Sequence, residues 1–104
     1  MQFVDNMKQT IKEKIRQRRA QMLVHSCLYY YMSESIITDD TWQEWADELE
    51  QLQTKNPKQC NIKFFDKEFK DWTGATGAHL PHTNSWVIAK AEYILKLTKD
   101  KNEY

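Results

Sequence analysis

Tyr29, Tyr30 and Tyr31 stand together shortly before Asp39, Trp42 and Gln43, and this set is the part of the chain best suited to chemistry. Aromatic faces stack on a planar ring, phenol hydroxyls donate and accept hydrogen bonds, and a carboxylate such as Asp39 accepts from an amide or a sugar hydroxyl. Consecutive tyrosines on a helix point in three directions, so they cannot all be buried. Either a hydroxyl meets solvent or a partner, or Tyr29 and Trp42 belong to the core while the others cover surface.

Other groups carry weaker signals. His79 and His82 flank Leu80-Pro81, while His25 and Cys27 lie upstream. A metal site needs three or four converging ligands, and side chains two apart on a helix diverge by more than half a turn. Zinc is therefore not expected. Neither Cys27 nor Cys60 has an oriented base identifiable in the sequence, so a thiolate nucleophile is not expected. Gly74-Ala75-Thr76-Gly77 holds both glycines of the chain and marks the loop where backbone can approach another group closely. Without Gly-Lys-Ser/Thr it reads as a turn that lets Trp72 and His79 pack; contacts from Gly74, Gly77 and His79 to a ligand are a secondary expectation.

The elements that position these residues follow from apolar spacing. From about Phe3 to Met32, the residues Val4, Met7, Ile11, Ile15, Met22 and Tyr29 recur at helical steps, predicting one long first helix. Lys8, Lys12, Lys14, Arg16, Arg18 and Arg19 give it a solvated basic surface, with Arg18 falling on the apolar seam. The seam breaks at Ser33-Glu34-Ser35, Ile36 and Ile37 form a short connector, and Thr38 or Asp39 caps a second helix. That helix buries Trp42, Trp45, Ala46, Leu49 and Leu52 and ends before Pro57. A short connector makes the two helices antiparallel neighbours.

Further on, Ile62 and Phe64 alternate like a strand, whereas Phe65, Phe69 and Trp72 are spaced like a short helix. Ser85 is expected to cap a last helix from about Trp86 to Lys99, with Val87, Ala91, Ile94 and Leu95 on one stripe and a frayed tail from Lys101. The fold class is all-α: a long antiparallel hairpin plus a C-terminal helix, with a short irregular segment between. One domain is expected over 1–104, with the hairpin at 1–57, the connector with its short helix at 58–84 and the last helix at 85–100.

Composition sets bounds on function. The 104 residues hold 15 basic and 15 acidic side chains, and the even balance does not favour phosphate neutralisation as the main activity. Charge is unevenly spread: residues 33–50 carry seven acids and no base, whereas residues 1–25 carry six bases and two acids. Two neighbouring helices thus have opposite signs. The N-terminus lacks the apolar run of a signal peptide, and no segment has the length of a membrane span. A cytoplasmic protein with reduced thiols is expected, without membrane partners.

The hairpin resembles the N-terminal Ia domain of bacterial NAD-dependent DNA ligases. The resemblance rests on Leu28-Tyr29-Tyr30, Ile37-Thr38-Asp39-Asp40-Thr41-Trp42-Gln43, Glu48-Leu49, Leu52-Gln53 and Asn56-Pro57, read in the family's register without a gap. That module caps the nicotinamide mononucleotide half of NAD. By position, Tyr29 matches the family's ligand-contacting tyrosine and Asp39 its first aspartate. Tyr30 stands where many ligases have histidine, Trp42 replaces a second tyrosine and Gln43 a second aspartate.

No Lys-x-Asp-Gly motif occurs in these residues to take an adenylyl group, and no nucleotidyltransferase domain is expected. The chain also looks like the short stand-alone ligase-A-related proteins of phages and prophages, which implies a bacterial host cytoplasm. The resemblance implies a non-catalytic module that recognises nicotinamide mononucleotide, NAD or a related nucleotide through Tyr29, Tyr30, Asp39, Trp42 and Gln43. The alternatives are a protein-interaction module, an inhibitor or anti-defence factor acting on a bacterial ligase or NAD-using enzyme, and nucleic-acid binding through the basic first helix.

Overall fold

A computed structural model describes residues 9–102 of the chain, in which three α-helices and two short helical turns are joined by irregular segments, with no strand among the described residues. Helix α1 spans Ile11–Ser26. It does not begin at Phe3. Thr10 is extended and accepts from the Glu13 N–H at 3.1 Å, while the Glu13 carboxylate accepts from the Thr10 N–H at 2.8 Å. This reciprocal cap satisfies two donors that the first turn would otherwise leave free, and so fixes the helix start. Phe3, Val4, Met7 and Lys8 lie outside the described residues.

At its far end α1 widens into a π-helical turn, Cys27–Tyr31, closed by Met32 N–H to Cys27 C=O at 3.1 Å. Ser33 then adopts a left-handed φ of 56° and ends the helix. Steps of four and seven from Met22 would keep Tyr29 on the buried stripe, but the wider turn rotates it away. Cys27 and Leu28 are buried instead, and Tyr29 is 59% exposed.

Helix α2 spans Asp39–Lys55, capped by Thr38, whose Oγ1 accepts from the Thr41 N–H at 3.0 Å. It buries Ala46 and Leu49 and half-buries Trp42, Trp45 and Leu52. Pairings along its length show the antiparallel course: His25 packs on Trp45 with ring centroids 5.6 Å apart, Arg18 reaches Glu48 at 2.6 Å and Arg19 reaches Gln53 at 2.8 Å. Lys14 joins Glu48 at 3.4 Å. Burial works against the charged Glu48, but Arg18 and Lys14 hold its carboxyl below the ordinary range. The opposite charges of the two helices therefore meet.

Arg19 departs from the expected solvated face. It is 1% exposed. Its guanidinium donates to Asp66 Oδ1 at 2.6 Å, to the Phe64 carbonyl at 2.7 Å, to the Cys60 carbonyl at 3.0 Å and to Gln53 Oε1 at 2.8 Å, and lies 5.6 Å from the Phe69 ring. Arg18 is only partly buried.

The connector is neither the strand nor the short helix that its spacing suggests. A single 3-10 turn, Pro57–Gln59, follows α2, and residues 60–84 are turns and bends. Lys63 and Phe65 have φ of 57° and 54°, left-handed values that break both a strand and a helix. Asp66 makes that backbone affordable by accepting from the N–H groups of Ile62, Lys63 and Phe64 at 3.0 to 3.4 Å. Burial alone would raise its carboxyl, yet Arg19 and these N–H groups hold it below the ordinary range. Phe69 and Trp72 still enter the core.

Helix α3 spans Ser85–Asn102 and packs on α1 and the π turn. Its cap is Asn84, not Ser85: Asn84 Oδ1 accepts from the Trp86 and Val87 N–H groups at 2.9 and 3.2 Å. Val87 and Ala91 are fully buried, and Ile94 and Leu95 half-buried. The helical backbone includes Lys101 and Asn102, and Glu103 and Tyr104 lie outside the described residues. No helix among the described residues is long and apolar enough to cross a membrane.

Arg19→Ala is expected to cost about 3 kcal/mol of stability, since it unpairs buried carbonyls and opens a cavity. Arg19→Lys should leave most of that loss, because an ammonium lacks the planar five-donor fork. Denaturant titration measures both. The folded-state lowering of Asp66 contributes stability that is present above the ordinary carboxyl value of about 4 and is lost as pH falls through the folded value. Asp66→Asn should flatten that acid limb of a thermal melting series.

Candidate ligand cleft at the helical elbow

Where the π turn meets the start of α2, a cleft of about 240 Å³ opens between the two helices and the glycine loop. Tyr29, Tyr30, Asp39, Trp42 and Gln43 all line it, together with Gly77. Gly74 and His79 are not among its lining residues. The cleft thus brings together the five positions that the sequence singles out on the hairpin.

Each wall has a local cause. Tyr29 and Tyr30 meet edge to face, 4.9 Å apart at 89°, so their rings form a right-angled corner. Tyr30 is braced behind by stacking on His82 at 5.2 Å and 10°, and its hydroxyl lies 3.3 Å from Thr76 Oγ1. His82 is in turn fixed by its Nε2 at 2.8 Å from the Gly77 carbonyl and by the Cys27 thiol donating to its own carbonyl at 3.3 Å. Opposite, Trp42 leans on the buried Trp72 at 6.2 Å, and Trp72 anchors itself by its indole N–H to the Ala46 carbonyl at 3.0 Å.

The loop sits where it does because its glycines permit it. Gly74 has φ 80°, and a Cβ there would lie 3.2 Å from the Ala46 carbonyl oxygen. A Cβ at Gly77 would overlap Ser26 Oγ and stand 3.0 Å from Ser26 Cβ and 3.2 Å from Trp42. Trp72 and His79 do pack, with ring centroids 6.0 Å apart. Gln43 holds the same loop: its amide nitrogen donates to Asp47 Oδ1 at 2.9 Å and to the Gly74 carbonyl at 3.0 Å. Its donors are thereby committed to structure, leaving the amide oxygen for a ligand.

Sequence reasoning passed over Ser26. It is 1% exposed, lines the cleft, and its Oγ has no hydrogen-bond partner among the described residues. Such a group costs about 1–3 kcal/mol of desolvation while unpaired. Its signal was readable, because four residues after Met22 a serine falls on a buried stripe. Glu34 and His25 also line the cleft. Burial pushes the His25 imidazole below its ordinary value, so it is uncharged at neutral pH.

Neither thiol is activated as a nucleophile. Burial raises both thiols, Cys27 with help from Glu92 and Cys60 against the pull of Arg19. Among the described residues no three His, Cys, Asp or Glu side chains converge on a metal-sized point. A larger, more open depression of about 550 Å³ lies by Arg19, Gln53 and Asp66, but these polar groups are already bonded to one another. The elbow is the better candidate, having hydrogen-bonding capacity to spare. Compared with protein-family models, curated proteins and solved structures, the chain matches none.

Proposed function

We propose that the chain is a non-catalytic recognition module whose elbow cleft takes nicotinamide mononucleotide, or the matching half of NAD or a related nucleotide. The observation that carries this reading is the convergence of Tyr29, Tyr30, Asp39 and Trp42 on one cleft whose wall includes the buried Ser26. Size supports a single ring and sugar: about 240 Å³ falls below the roughly 300 Å³ at which pockets for drug-sized ligands begin. The second half of a dinucleotide would lie outside. Stacking would come from the tyrosine corner and Trp42, and Asp39 would accept from an amide or ribose hydroxyl.

A protein-interaction role keeps one specific observation in its favour. Tyr31, Tyr93 and Leu97 are 53%, 59% and 48% exposed on the π turn and α3, and none of them lines the cleft. Aromatic surface of this kind is enriched at interfaces. A bacterial ligase or NAD-using enzyme would be the partner on this view. The nucleic-acid reading keeps fewer free donors than the sequence suggests, since Arg19 is buried and Arg18 and Lys14 pair with Glu48, while Lys12 and Arg16 stay exposed.

Calorimetric titration with the mononucleotide and with NAD should give heat and a thermal shift at ligand concentrations up to about millimolar. Tyr30→Ala and Asp39→Ala should each weaken binding about tenfold. Silence in both assays at that concentration would sink the proposal. Ser26→Ala should raise the stability of the free protein by about 1 kcal/mol, by removing an unpaired buried hydroxyl, while weakening the ligand. Melting curves with and without mononucleotide read both effects. The interaction view fails if protein recovered from a bacterial lysate carries no partner.

A further inference from the structure

We infer that the face shared by α1, the connector and the start of α3 is a docking surface for single-stranded nucleic acid. None of its residues lines the elbow cleft, so this surface goes beyond the nucleotide reading and does not rest on it. Aromatic rings build its floor: Phe64 meets Trp86 edge to face at 5.3 Å and 83°, and Phe65 meets Phe64 at 4.9 Å and 85°. Cations gather on that floor. The Arg16 guanidinium lies 3.9 Å over the Phe64 ring and the Lys90 ammonium 5.8 Å over Trp86. Lys12 stands one turn before Arg16 on α1, and Lys63 directly precedes Phe64. All four basic side chains are exposed, and among the described residues none of them joins an ion pair.

The arrangement works against the free fold. Elsewhere on α1 the chain meets Lys14 and Arg18 with Glu48, but here like charges from three elements face one another without a carboxylate. Attraction to the rings holds the charged heads over them and does not neutralise them. The backbone supplies an independent sign, because Lys63 and Phe65 both hold the left-handed conformation, which bulky side chains adopt only under constraint and which gathers at functional sites. In that conformation Lys63 is exposed, and Phe65 is half-buried with its ring 6.1 Å from Trp86. Two components then define the occupant. Phosphates along a flexible strand can neutralise the separated cations, with the Arg16 fork suited to two phosphate oxygens at once, while planar bases stack on the ring surface left open at Phe65 and Trp86. An acidic peptide would meet the cations but brings no planar groups to the rings, and the bases of a duplex are already stacked on one another.

The test follows the fluorescence anisotropy of a labelled oligothymidylate of about twelve nucleotides titrated with the full chain, beside an abasic strand, a duplex and an oligoglutamate peptide of the same length. The oligothymidylate should bind most tightly, about tenfold better than the abasic strand, which keeps the charge and lacks the bases. Four cations on four phosphates imply a log–log salt slope of about 3, so raising salt from about 50 to about 200 mM should weaken binding about fiftyfold. Lys12→Gln combined with Lys90→Gln changes only exposed side chains and should halve that slope, weakening binding about tenfold at the lower salt. Lys96→Gln combined with Lys99→Gln removes the same charge from the end of α3 that reaches Glu34, and should weaken it less than about threefold. Equal binding of the abasic strand, tighter binding of the duplex or the peptide, equal losses in the two double variants, or no binding at about 0.1 mM protein in the lower salt would each overturn the inference.

Discussion

The buried guanidinium of Arg19 is the constraint on which the rest of the structure depends. A charge taken out of water costs several kcal/mol unless its donors are met, and Arg19 meets them with two side chains and two carbonyls, one side chain from α2 and the rest from the connector. Those carbonyls belong to Cys60 and Phe64, in a segment that has no helix or strand of its own to satisfy them. The connector is thus ordered from outside. Arg19 fixes Asp66, Asp66 collects three backbone N–H groups, and the two left-handed residues between them become tolerable.

Order then passes from the connector to the elbow. Gln53, which accepts from Arg19, donates to the Phe69 carbonyl at 2.9 Å, and Phe69 packs on Trp72 at 5.1 Å. Trp72 binds the backbone of α2 and supports Trp42 from behind. The loop that follows is therefore delivered to the gap between the helices, where Gly74 and Gly77 let it approach Ala46 and Ser26 without side chains in the way. The floor of the cleft is a consequence of packing some distance from it.

The helices are legible in the sequence because their signals are local, and the connector is not, because tertiary bonds override spacing there. Thr38, Pro57 and the acidic run gave the course of α2, because caps and stops act within one turn. Tyr29 was misplaced on the seam because a π turn changes the angular step, and nothing in apolar periodicity encodes that change. Arg19 looked like one more solvated cation beside Arg16 and Arg18; its burial depends on Asp66 and Gln53, far along the chain. The connector misled for the same reason: Phe65, Phe69 and Trp72 have helical spacing, but the left-handed Phe65 is paid for by side chains elsewhere. The five elbow positions are legible as a group, since they flank one short turn; the burial of Ser26 is legible from its step of four after Met22, whereas the place of Ser26 and Glu34 beside the cleft follows only from packing and the chain reversal.

The elbow itself leaves hydrogen-bonding capacity unspent, and this separates it from the rest of the molecule. Arg19, Asp66, Gln53 and Trp72 have their polar groups engaged, as buried polar groups generally must. Ser26 does not, and two exposed tyrosines beside it turn aromatic surface to water. A core selected for stability alone would place alanine at Ser26, since the hydroxyl contributes nothing to the free fold and costs desolvation. Gly77 makes the same point from the other side: its lack of a Cβ lets the loop come close to that hydroxyl without supplying a partner for it. Departures from the locally cheapest choice tend to gather where a protein meets something else. Here two of them touch in the wall of one cleft.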